Sequence, residues 1–119
     1  MSAPANATDV ARQLAKLSLD LDATVEQLEV ADRDATEKRA ASELAFSRAF
    51  MSAEGSVETR KHLAVIATHD IRLETEVADA LVRHLRRRVD AIKTRIEVGR
   101  SYGAAIRAEV ALAGSGMTP

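Results

Sequence analysis

The chain has 119 residues, no Cys, no Trp, 17 Lys+Arg, 18 Asp+Glu and a formal net charge of -1. These figures leave room for one domain at most and exclude a disulfide scaffold, a thiolate metal site and a uniformly basic duplex-DNA binder. Hydrophobic residues make up 46% of the chain, too many for full disorder, but 23 residues are Ala, which buries little area at roughly 25 cal/mol per Å².

The start, Met1-Ser2-Ala3-Pro4, has neither the basic residues nor the apolar core of a signal peptide. No apolar run reaches membrane-spanning length. The expected location is therefore cytoplasmic.

Pro occurs only at positions 4 and 119, and Ala, Leu, Glu, Arg and Lys dominate between them. These residues have the lowest helix cost, and no period-2 stretch suggests a strand. The first predicted helix runs from about Thr8 to Ala53, capped by Thr8 or Asp9. Leu14, Leu17, Leu21, Val25 and Leu28 form one stripe on it. Thr24-Val25-Glu26-Gln27 resembles a capping box, but the stripe continues through it in phase, which favours one unbroken helix. Phe46 and Phe50 are expected to pack against Leu63 and Ile66.

Glu54-Gly55-Ser56 is the internal turn signal: Gly55 suits a helix-ending position and Ser56 the next cap. The second helical run extends from about Val57 to Ala113 and includes Leu63, Ile66, Leu73, Val77 and Leu81. Thr68-His69-Asp70 is a point where it could kink or divide, and Gly114-Ser115-Gly116 is expected to end it. The expected fold is all-α: one helical hairpin domain over residues 8–113, with flexible tails at 1–7 and 114–119. Helices of about 46 and 57 residues would measure roughly 70 and 85 Å. A two-helix rod of that length leaves apolar surface open, so an oligomeric bundle or ring is expected.

Charge is unevenly placed. Residues 1–55 carry net -4, residues 56–82 net -2 and residues 83–119 net +5. Arg86, Lys93, Arg100 and Arg107 recur every seventh residue in one column. Arg88, Arg95 and Tyr102 form a second, with Arg83 and Arg87 nearby. Between the columns runs an apolar seam of Leu85, Val89, Ile92, Ile96, Gly99, Gly103, Ile106 and Val110. One reading pairs these bases with acids of the first arm, Asp9, Asp20, Asp22, Glu26 and Glu29. The other makes them a polyanion-binding face in which each phosphate contact releases a counterion. Gly99 and Gly103 fit either a close helix crossing or a bend that presents Arg100 and Tyr102 to a ligand.

His62, His69 and His84 lack chelating spacing, and no phosphate-cradling Gly loop follows a strand. No metal, no cofactor and no enzyme activity are expected.

Lys38-Arg39-Ala40-Ala41-Ser42-Glu43, followed by a short Gly turn and a long basic helix with seven-residue Arg spacing, resembles the T4-type recombination mediator (UvsY-like) family of small bacteriophage proteins. The resemblance covers roughly residues 30–112. It implies a ring-forming helical protein that binds single-stranded DNA, displaces single-strand-binding protein and loads a RecA-type recombinase. It adds Lys38 and Arg39 to the α-helical bases that would touch DNA. The alternative is a protein–protein module, an adaptor, inhibitor or assembly factor, with no nucleic-acid binding.

Overall fold

The structure, a computed structural model, describes residues 6–116. Among them all regular structure is helical: α1 spans Ala7–Ser52, α2 Val57–Ala67 and α3 His69–Gly116. The all-helical expectation and the turn at residues 54–56 are both met. α1 passes through residues 18–27 without a break. There the Thr24 hydroxyl donates back to the Asp20 carbonyl at 2.7 Å instead of capping a new helix.

Three boundaries differ from expectation. The first cap is Asn6, whose Oδ1 accepts from the Asp9 amide at 2.9 Å, so Thr8 and Asp9 lie inside the helix. At the far end, α3 continues through Gly114 and Ser115 to Gly116, because two glycines only weaken a helix. The remaining tail positions, 1–5 and 117–119, lie outside the described residues. The third difference resolves the alternatives at Thr68: α2 ends there, at φ -109° and ψ 13°. Its buried hydroxyl bonds the Ala64 carbonyl at 2.7 Å, and α3 starts at the next residue.

The turn is built from three residues. Gly55 has φ +113°, a conformation that costs any residue with a Cβ. Ser56 caps α2 by accepting from the Thr59 amide. Arg60 donates from Nε to the Phe50 carbonyl, one of the otherwise unpaired carbonyls at the end of α1, and its guanidinium lies 4.3 Å from the Phe50 ring centroid. Phe46 has Arg72 over it at 5.9 Å. Both rings are half-buried, while Leu63 is 45% and Ile66 73% exposed, so the expected Phe–Leu–Ile core is replaced by guanidinium–ring contacts. Replacing Ser56 by Ala removes the α2 cap and should cost about 1 kcal/mol of stability, read by urea denaturation.

The chain divides into two compact units. One comprises Glu26–Arg86. Its buried cluster is Ala31 and Ala35 from α1 with Ala78, Val82 and Leu85 from α3, and Leu28 packs on its edge. The alanines bring the two helix backbones close. At that approach the Thr75 hydroxyl reaches both the Lys38 carbonyl across the helix pair, at 3.2 Å, and the Ile71 carbonyl of its own helix, at 3.0 Å. Arg39 pairs with Asp79 at the same level, and Arg86 with Asp32 further along, so the two helices run antiparallel. The other unit joins the start of α1, up to Val25, to α3 from Arg87 onward. Its buried residues include Val10, Thr24, Val89, Ile92 and Gly103.

Candidate functional site

The seam predicted on α3 is largely the face that packs against the chain's own first helix. Leu85, Val89 and Ile92 are buried, and Ile96, Gly99 and Ile106 are half-buried. Opposite them, Leu14, Leu17, Leu21, Val25 and Leu28 of α1 are all half-buried. Val110 departs from the expectation at 67% exposed.

Gly99 and Gly103 form a notch for α1. A Cβ at Gly99 would stand 2.8 Å from Leu14 Cδ2, and one at Gly103 would stand 3.1 Å from Val10 Cγ1. The helix is continuous through both, so of the two sequence readings the close crossing is the one observed. Gly99→Ala gains about 1 kcal/mol of helix propensity, and the atom its Cβ meets, Leu14 Cδ2, is the end of a flexible side chain on an open groove that can move aside at small cost. The expected result is a change within about 1 kcal/mol in the wild type and a larger gain when Leu14 is also alanine, read as a double-mutant cycle in thermal unfolding.

The cationic side chains lie at the edges of this packed face. Arg83, Arg86, Arg87, Arg88, Lys93, Arg95, Arg100 and Arg107 are all exposed, and Tyr102 is 42% exposed. Among the described residues, the ion pair from an α3 base to an α1 acid is Arg86 to Asp32, at 3.8 Å with both side chains more than half exposed. A pair that exposed is worth about 0–1 kcal/mol. Asp9, Asp20, Asp22, Glu26 and Glu29 make no ion pair among the described residues, so the expected neutralisation of the columns by the acidic arm is not seen. Asp20, Asp22, Glu26 and Glu29 are exposed on α1, and Asp9 is half-buried.

Lys38 and Arg39 are engaged differently. Lys38 pairs with Asp34 one turn earlier, at 3.1 Å, and Arg39 with Asp79. Arg39 therefore ties α1 to α3 while Lys38 supports α1 itself, and both present less free charge than the α3 columns.

One edge of the second unit also forms a groove of about 520 Å³. Leu14, Ala15, Ser18 and Leu21 line it from α1, and Lys93, Ile96, Glu97 and Arg100 from α3. Lys93 and Arg100 are two turns apart, about 10.5 Å along the axis. Neither has a carboxylate within ion-pair distance among the described residues, although Glu97 sits between them in sequence. The groove thus combines an apolar floor with two cations and one carboxylate, Glu97, on the α3 wall. Sequence reasoning found the cations through their seven-residue spacing. It missed the groove, because the α1 wall comes from a distant segment.

His62 approaches Glu58 at 4.0 Å on the exposed side of α2. Among the described residues no group of three metal-ligating side chains converges, and no helix is long and apolar enough to cross a membrane. Comparison with family models, with curated proteins and with solved structures finds no match to the chain.

Proposed function

We propose that the protein is a self-associating helical accessory factor that binds single-stranded DNA along the basic edges of α3, in the manner of a phage recombination mediator. The observation that carries this reading is the groove bordered by Lys93 and Arg100. A single strand needs cations that follow its phosphates and apolar surface that meets its bases. The groove offers both, and its two cations outnumber the one carboxylate, Glu97, that shares its lining. Self-association supplies the rest, since repeating a weak contact on several copies raises the total affinity. A recombinase and a single-strand-binding protein are the protein partners this role implies.

Fluorescence anisotropy of a labelled oligonucleotide tests it at two salt concentrations. Binding at low salt that weakens steeply as salt rises supports the reading. No binding at low salt overturns it.

A second reading, a protein–protein module without nucleic-acid binding, is favoured by the open apolar side chains of the other unit. Leu73, Val77 and Leu81 are 51%, 63% and 48% exposed. Under that reading the oligonucleotide stays free at every salt concentration, while the protein is still found in a complex of higher mass.

A further inference from the structure

The apolar arc of α3 is wider than α1 covers. Ala78, Val82 and Leu85 face α1 and are buried. Leu73, Val77 and Leu81, spaced by four, lie on the adjoining arc and stay about half exposed or more. Three large aliphatic side chains on consecutive turns make a continuous strip, unlike singly scattered surface residues. The charges along α3 indicate what covers it. From His69 to Val82 the helix carries four acids and one base, whereas from Arg83 to Val89 it carries four bases and no acid. A helix with one acidic end and one basic end is complementary to itself when reversed.

We infer that the strip pairs with the same strip of a second copy, the two α3 helices running antiparallel about a two-fold axis near the level of residue 79. This deepens the self-association in the function proposed above and rests on it. In that register Val77 of one copy meets Leu81 of the other, since the two positions are equidistant from residue 79. The same symmetry sets Asp70 level with Arg88 of the second copy, and Glu74 level with His84. Each pair occurs twice, as an isologous contact requires. Asp70, Glu74, His84 and Arg88 are all exposed, and none is held in an ion pair among the described residues. The reverse, parallel arrangement would set acids against acids and bases against bases.

Sedimentation equilibrium of the full chain tests the pairing. Val77→Glu with Leu81→Glu places four carboxylates in the contact, and should weaken self-association by about tenfold or more while the far-UV circular dichroism is unchanged. Asp70→Arg alone should weaken it, and adding Arg88→Asp should restore it. A wild-type chain that stays monomeric overturns both the pairing and the self-association reading. A wild-type oligomer whose mass survives Val77→Glu/Leu81→Glu overturns the pairing alone. Failure of Arg88→Asp to restore association in the Asp70→Arg chain overturns the register.

Discussion

Replacing Leu85 by alanine should lower the unfolding free energy by about 2–5 kcal/mol, the usual cost of deleting a buried leucine with its cavity. The expectation lies at the upper part of that range because of what surrounds it. The cluster contains Ala31, Ala35, Ala78 and Val82, so Leu85 is its largest side chain and is only 6% exposed. Short alanines on rigid helices cannot extend to fill the space. Against a typical total of about 5–15 kcal/mol for a domain, such a loss is a large fraction. Leu81, one turn earlier and 48% exposed, is the comparison. Leu81→Ala should cost clearly less when both variants are unfolded by urea at the same low protein concentration, since association adds stability by mass action. Equal losses at that dilution would mean that α3 presents a different face to α1.

That contrast also marks how far the sequence could be read. The helices were legible because the composition offers no competitor: Pro is absent between positions 4 and 119, and helix formers fill the interval. Gly55 and Ser56 fixed the turn through backbone chemistry local to four residues, which a sequence displays directly. Which apolar residues go inside was harder. A helical period treats neighbouring apolar positions much alike, yet Val77 is exposed and Ala78 buried. The difference depends on the angle at which α1 approaches, and that angle is set by small residues, Ala31, Ala35 and Ala78, whose hydrophobicity is low. The same holds for the candidate site. The column of Arg86, Lys93, Arg100 and Arg107 was visible as a period, but the groove beside Lys93 and Arg100 needs Leu14 and Leu21 from the other end of the chain. The Arg60–Phe50 contact was invisible for another reason: a guanidinium over a ring has no periodic signature.

Converting Lys93 and Arg100 together to Gln should weaken binding of single-stranded DNA about 25-fold at 0.1 M salt, and should make the slope of log affinity against log salt about 1.4 less negative. Both figures follow from about 0.7 counterion released per phosphate neutralised on a single strand, with two phosphates left unneutralised in the variant. The substitution shortens the side chains by one atom at Lys93 and two at Arg100 but leaves the apolar floor of Leu14, Leu21 and Ile96 in place, so the change bears mainly on charge. Stability should be nearly untouched, because neither residue is in an ion pair among the described residues. Lys38→Gln with Arg39→Gln removes the same formal charge from α1, but from side chains that Asp34 and Asp79 already hold. Its effect on the slope should therefore be smaller. Arg88→Gln with Arg95→Gln probes the other column, beyond the packed seam. An unchanged slope in the Lys93/Arg100 variant, with a reduced slope in the Arg88/Arg95 variant, would move the strand to that edge. Equal reductions in both would mean that the strand crosses from one edge to the other, or that neighbouring copies present different edges to it. The measurement thus separates a local groove from a diffuse cationic surface, which net charge alone, at -1, could not do.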